Sequence, residues 1–163
     1  MTEPTPEAFR RAASRYATGI AIVTTTWQGH DHAMTANSFA SVSLDPVMAL
    51  VCVQRDTRFH EAILGSGTWA VGFLPEGGQG TARWFATRGR PLDGQLDPFP
   101  HHRGGNGAVL LDAMLSGLEL ATEQVIRAGD HDVVIGRVTD VHLPTSEVPP
   151  TVYFASRYRS LAP

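Results

Sequence analysis

The sequence predicts a mainly β fold, a closed antiparallel barrel trimmed by an N-terminal helix and two short helices. Three observations carry that expectation. Roughly seven segments are rich in β-branched and apolar residues and are bounded by glycine, proline or aspartate turn signals. Helical spacing is confined to one longer amphipathic stretch and two short ones. The stretch from Ala33 to Val53 joins a strand dense in small polar residues (Thr35, Asn37, Ser38, Ser41, Ser43) to an almost unbroken apolar run beyond Asp45-Pro46. A polar strand beside a buried one makes a shallow, donor-lined surface. Such a surface suits a flat, hydrogen-bonding ligand better than nucleophilic chemistry.

Pro6 to Ala17 opens with proline and glutamate, as a first helical turn does. Phe9, Ala12, Ala13 and Tyr16 fall at helical spacing and predict an apolar face laid on a core. Ile20 to Trp27 is β-favouring, Gln28-Gly29 reads as a hairpin turn, and His30 to Phe39 returns as the paired strand. Ala40 to Ser43 bends the chain toward Asp45-Pro46. Val47 to Gln54 reads as a strand buried on both faces, with Cys52 a small buried hydrophobe between Val51 and Val53. Arg55-Asp56-Thr57 caps a short helix over Arg58 to Leu64.

Thr68 to Leu74 is a further strand, and Gly77 to Gly80 leads into a helix through Thr81 to Ala86. Thr87 to Gly107 carries five glycines and three prolines, a long loop of the kind that often forms a functional lid. Strands are expected around Leu110 to Leu111 and Ser116 to Ile126, then from His131 to His142 after the turn at Ala128-Gly129-Asp130. Pro144 to Pro150 reads as a loop and Val152 to Phe154 as a short strand before a basic, aromatic tail, Arg157-Tyr158-Arg159.

Composition narrows the classes. At 163 residues, with 42% hydrophobic and 18% charged, the chain suits one globular domain spanning 1–163. A net charge of -3 gives no reason to expect nucleic acid or an anionic membrane as partner. The N-terminal M-T-E-P-T-P-E lacks the basic start and apolar core of a signal peptide. No apolar run approaches the ~20 residues that cross a bilayer. With one cysteine, no internal disulfide forms, and a cytoplasmic protein is expected.

Catalytic signatures are sparse. His30-x-His32 and His101-His102 raise a metal site, but the carboxylate and cysteine spacings of a ligand set do not accompany them, so no metal is expected. There is no G-x-S-x-G elbow. Neither Gly77-Gly78-Gln79-Gly80 nor Gly104-Gly105-Asn106-Gly107 is followed by the Lys-Ser/Thr of a phosphate loop or opens a dinucleotide fingerprint. What remains is a set of donors: backbone amides near Thr35 to Phe39, with Arg55, Arg58, Arg83 and Arg88, could hold a phosphorylated aromatic ligand. Each arginine taken singly reads rather as an ordinary surface cation. Gly129-Asp130-His131-Asp132 reads either as a tight turn or as a histidine docking a polar cofactor group.

In order and spacing, several stretches resemble the short-chain flavin reductases, the reductase components of two-component flavin-dependent monooxygenases. They are A-T-G-I-A-I-V-T-T at 17–25, M-T-A-N-S-F-A-S-V-S-L-D-P at 34–46, C-V-Q-R at 52–55, F-H-E-A-I at 59–63, R-W-F-A at 83–86, G-D-H-D-V-V-I-G-R-V at 129–138 and Y-F-A-S-R-Y-R-S-L at 153–161. The resemblance implies a Greek-key FMN-binding split barrel, a homodimer, and hydride transfer from NADH or NADPH to FMN or FAD. Reduced flavin would then pass to a partner monooxygenase.

It further implies that His32, Ala33, Met34, Thr35, Ala36, Asn37, Ser38 and Phe39 line the flavin, with Val53, Gln54 and Arg55 along another edge. Arg58, Phe59 and His60 would stand near the phosphate end, and Phe85 and Ala86 would close the site. His131, with Tyr153 and Arg157, would meet the nicotinamide. No protein group is implied as catalytic, because the cofactors carry the chemistry. Arg58 stands where many relatives carry serine or threonine, so the choice between FMN and FAD stays open. So do two other readings: a flavin carrier or sensor without turnover, and a split-barrel oxidase holding flavin or haem tightly.

Overall fold

The computed structural model describes residues 3–143 and 147–161. In chain order the elements are α1 (Pro6–Ala13), β1 (Thr18–Gly19), β2 (Ala21–Trp27), β3 (His30–Ala36), β4 (Ala40–Leu44), β5 (Val47–Gln54), α2 (Arg58–Ser66) and β6 (Thr68–Phe73). There follow α3 (Gln79–Ala86), β7 (His101–Arg103), β8 (Val109–Leu111), β9 (Gly117–Ala128), β10 (His131–His142), β11 (Val152–Phe154) and β12 (Arg157–Arg159). The chain is mainly β with three helices, as its patterning predicts. Seven strands form one antiparallel sheet in the order β3-β2-β6-β9-β10-β5-β4, β1-β11-β12 form a second, and β7 pairs with β8.

Period-two alternation distributes the apolar side chains between two cores. Ala21 and Val23 of β2 enter the first, with Ala36, Val51, Val53, Trp69, Leu120 and Val134. Ile20 and Ile22 enter the second, with Leu74, Ala82, Phe85, Leu96, Val109 and Leu111. Ala36 and Val51 come from strands near opposite ends of the hydrogen-bonded order, so the sheet curls around the first core.

The ladder itself is open. Among the described residues it runs from β3 to β4 with no rung joining those two ends, so the fully closed hydrogen-bonded barrel expected from the sequence is not what the pairing records. Other expectations also change. Helix α1 begins as foreseen, with Thr5 accepting from the Ala8 N–H at 3.2 Å, but it stops at Ala13 and buries nothing. Phe9 is 68% and Tyr16 78% exposed, so the predicted apolar face has no core beneath it. The bend expected over Ala40 to Ser43 is strand β4, its register shifted between Ser41 and Ser43.

Strand β5 is buried on one face only. Ala49, Val51 and Val53 point inward, while Cys52 and Gln54 are half-buried on the other side, which corrects the reading of Cys52 as a core residue. The long segment 87–107 is a wall rather than a free lid: Gln95 and Leu96 are buried, Leu96 belongs to the second core, and β7 pairs with β8. The basic tail folds back as β12 on β11. Of the loop expected over Pro144 to Pro150, residues 144–146 lie outside the described residues, and Pro150 bridges to Pro75.

Candidate functional site

Strand β3 is an edge of the large sheet, so one row of its backbone groups has no strand partner. In an antiparallel strand the N–H and C=O of one residue point to the same side, and that side alternates along the chain. The Asp31 carbonyl accepts from Gln95 Nε2 at 2.8 Å and the Ala33 carbonyl from Arg90 Nη2 at 2.8 Å, which places the odd-numbered residues on the outer edge. Thr35 continues that series, so its backbone opens outward. Its hydroxyl donates to the Ala82 carbonyl at 2.6 Å and ties α3 to the same edge.

Beside this edge lies a cleft of about 620 Å³, within the range of small-ligand sites. His32, Ala33, Met34, Thr35, Ala36, Asn37 and Ser38 form one wall, and Cys52, Gln54 and Phe59 another. Phe85 and Ala86 come from the end of α3, and His131 stands at the rim. The Ser38 hydroxyl accepts from the Cys52 N–H at 3.1 Å and fixes the chain after β3 against β5. Gln54 and His131 are neighbours because their strands pair in that register.

Arginines gather around the cleft, each tied down by protein acceptors. Arg58 donates to the Arg90 carbonyl at 2.7 Å, and Arg88 to Gln54 Oε1 at 2.7 Å. Arg90 donates to the carbonyls of Phe85 (2.8 Å), Thr87 and Ala33 (2.8 Å). Burial, then the Arg58 charge, lowers the Arg90 pKa, but the guanidinium stays charged at neutral pH. His32 is 5% exposed. Burial, followed by the charges of Arg58 and His30, holds its pKa below 6.5, so it presents a neutral ring to the cleft.

The structure brings together most of the residues singled out from the sequence, but not all. Phe39 turns into the first core and meets Phe73 edge to face, with ring centroids 4.8 Å apart. Val53 is fully buried there. Arg55 and His60 sit beneath the cleft: His60 Nε2 lies 2.8 Å from Asp132 Oδ2, and Arg55 Nε makes a looser ion pair with Asp132 Oδ1 at 3.5 Å. The Arg55 N–H donates to the Asp130 carbonyl at 3.1 Å. These two residues therefore hold the Gly129–Asp132 turn and position His131 without lining the cleft. Tyr153 and Arg157 lie in a different cleft altogether.

Residues missed as candidates include Arg90, Gln95 and Cys52. The signal for the first two was the unusual length of 87–107, and for Cys52 only tertiary placement reveals it. The paired histidines do not converge: His30 Nδ1 meets Asp93 at 2.8 Å on the surface, and His102 Nδ1 meets Asp112 at 2.7 Å. Glu119, Asp140 and His142 do approach one another, with ligand atoms within 4.8 Å. Burial pushes the Glu119 carboxyl up, but N–H donors from Asn106 and Gly105 and the His142 ring together hold its pKa below 4.5. That arrangement is a staple for the 104–106 turn.

With this geometry in view, comparison with known proteins is direct. The flavin reductase like domain matches residues 13–162, and the chain belongs to that family. An NADH-dependent FMN reductase, AsuE2 of Streptomyces nodosus subsp. asukaensis, is 36% identical over 162 residues, 98% of this chain and 87% of that one. The crystal structure of BorF, the flavin reductase component of a bacterial two-component tryptophan halogenase, superposes with a TM-score of 0.90 at 36% identity, covering 96% of this chain and 98% of that one. The NADH:FAD oxidoreductase SgcE6 of Streptomyces globisporus C-1027, solved with NAD and FAD fragments, gives 0.89 at 32% identity, covering 100% and 98%. Curated relatives vary in length, and the chain spans 42% of one and 96% of another.

Proposed function

We propose that this chain is an NAD(P)H-dependent flavin reductase that binds FMN or FAD along the outer edge of β3 and supplies reduced flavin to a partner flavin-dependent monooxygenase. The observation that carries the reading is the cleft's division of labour. Outward backbone groups at Thr35 suit the polar edge of an isoalloxazine, and Met34, Phe59 and Phe85 suit its faces. Arg58, Arg88 and Arg90 suit a phosphate tail. Hydride transfer between dihydronicotinamide and flavin is chemistry the two cofactors bring themselves. The chain's part is to hold the flat ring, wall off water with the 87–96 segment and present His131, braced by Asp132 through its neighbours, on the nicotinamide side.

Within one protomer the nicotinamide contact falls to His131, since Tyr153 and Arg157 stand outside this cleft. Further readings rest on the same frame. The 163 residues act as one domain whose curled sheet closes through side chains as a Greek-key split barrel, supported by the core shared between β3 and β5. The chain pairs as a homodimer, supported by the exposed Phe9 and Tyr16 on and after α1. It works in the cytoplasm; no helix among the described residues is long and apolar enough to cross a membrane.

Steady-state kinetics with NADH or NADPH and FMN or FAD test the activity. Flavin-dependent loss of nicotinamide absorbance is expected. No loss with any of the four pairs, together with stoichiometric flavin retained through purification, would favour a carrier instead.

A further inference from the structure

Glu119 gathers more than the 104–106 turn. It stands opposite Asp140 in the β9–β10 ladder, and Asp140 and His142, two positions apart on β10, share one face of that strand. The register therefore sets two carboxylates side by side, an arrangement that is unfavourable unless a positive charge joins them. His142 lies against both: its Nε2 is 2.8 Å from Glu119 Oε1 and 4.0 Å from Asp140 Oδ2. The three ligand atoms fall within 4.8 Å of one another. Histidine spacing along the chain gave no sign of this set, because its buried member comes from the neighbouring strand.

Backbone donors aim the carboxylates. Only 2% of the Glu119 side chain is exposed, and the N–H groups of Gly105 and Asn106 donate to Oε1 and Oε2 at 3.0 and 2.7 Å. Asp140 Oδ1 accepts from the Val141 N–H at 2.8 Å, while Oδ2 is the oxygen nearer His142. A second histidine stands alongside on β7. The ring centroid of His102 is 6.0 Å from that of His142, and its Nδ1 is 2.7 Å from Asp112 Oδ1. A carboxylate on one ring nitrogen fixes the tautomer and leaves the other nitrogen to a cation, the way histidine is presented to a metal. Two imidazoles and two carboxylates make a nitrogen-and-oxygen set that suits Zn²⁺, whereas Mg²⁺ and Ca²⁺ take oxygen ligands. Ligand atoms around tetrahedral Zn²⁺ stand roughly 3.3 Å apart. The distances at His142 Nε2 bracket that value, so a small parting from Glu119 and a small approach by exposed Asp140 complete the geometry.

We propose that Glu119, Asp140, His142 and His102 form a Zn²⁺ site. The cation takes the place of the proton between Glu119 Oε1 and His142 Nε2, which passes to solvent. It fastens the β7–β8 hairpin to the β9–β10 pair, and none of its four ligands lines the cleft beside β3.

Calorimetric titration of the full chain, carrying no histidine tag, with ZnCl₂, MgCl₂ and CaCl₂ tests it, each run with and without saturating FMN. A single equivalent of Zn²⁺ is expected to bind in both conditions and to raise the unfolding temperature, with Mg²⁺ and Ca²⁺ weaker by about tenfold or more. Asp140→Asn and His102→Gln alter exposed side chains and leave the metal-free unfolding temperature and FMN affinity unchanged. Each is expected to weaken Zn²⁺ by about tenfold or more. His30→Gln, at the separate surface pair with Asp93, is expected to bind Zn²⁺ like the parent. No Zn²⁺ binding, displacement of Zn²⁺ by FMN, or Mg²⁺ or Ca²⁺ binding as tightly as Zn²⁺ would each overturn the proposal. So would loss of Zn²⁺ in His30→Gln, or parental Zn²⁺ affinity in either Asp140→Asn or His102→Gln.

Discussion

The two clefts flanking α3 each hold three arginines, and the chain treats them in opposite ways. In the cleft beside β3 Arg58, Arg88 and Arg90 are tied to carbonyls and to Gln54, so their charge is fixed in place by bonds that also build the walls. In the second cleft Arg83, Arg157 and Arg159 donate to no protein acceptor among the described residues, and the Arg83 guanidinium lies over the Tyr158 ring. The difference separates two ways of making a cationic surface. A guanidinium that closes backbone carbonyls is part of the fold, and its removal damages stability and binding together. A guanidinium on a surface hairpin that donates to no protein acceptor can be removed with little effect on the fold.

The largest expected effect sharpens that contrast. Arg90→Ala leaves the carbonyls of Ala33, Phe85 and Thr87 without their donor. At roughly 1–3 kcal/mol for a buried polar group left unpaired, a loss of about 3 kcal/mol is expected in urea unfolding, with weaker FMN binding. Arg159→Gln, by contrast, is expected to stay within about 0.5 kcal/mol of the parent. Equal destabilisation by both substitutions would erase the distinction.

His131→Ala comes next. If nicotinamide is met at the first cleft, its KM rises about tenfold, or ~1.4 kcal/mol, while flavin affinity holds. Equal loss of both affinities would make the histidine structural. Thr35→Val removes the hydroxyl bond to Ala82 that holds α3 against β3. About 1 kcal/mol of stability and a severalfold weakening of flavin are expected, read by thermal unfolding and flavin titration.

The smallest effect is a pH dependence confined to the first cleft, since no histidine lines the second. Burial, then Arg58 and His30, depresses the folded pKa of His32 below 6.5. Below pH 6.5 the unfolded ring takes up a proton that the folded ring resists. Its contribution to stability is therefore fully present above pH 6.5 and lost as the pH falls toward the folded value. The unfolding midpoint of His32→Gln is expected to fall less steeply with acid than that of the parent. Parallel slopes would show that His32 does not carry this dependence.

Much of the fold could be read from local rules. Gln28-Gly29 turned the β2–β3 hairpin with φ angles of 52° and 80°, as its residues demand. Thr57 capped α2 by accepting from the His60 N–H at 3.2 Å, and Gly67 ended it with φ of 70°. What failed depended on which surface meets which. The apolar face of α1 has the right spacing but no core beneath it. The apolar run of β5 implied two buried faces, but a cleft opens beside Cys52 and Gln54.

The same boundary runs through the site. Sequence by itself determined that a polar strand, Thr35 to Ser38, would stand beside an apolar one, and that a turn at Ala128-Gly129-Asp130 would lead into a strand beginning at His131, because these follow from residue type and short-range spacing. Only the tertiary structure decided which side chains share a space. Period-two alternation sends Phe39 and Val53 inward, burial of Asp132 draws His60 and Arg55 beneath the rim, and the hairpin at Ala155-Ser156 carries Tyr153 and Arg157 to a second cleft. Those outcomes depend on strand register and on contacts between residues tens of positions apart, which no local pattern encodes.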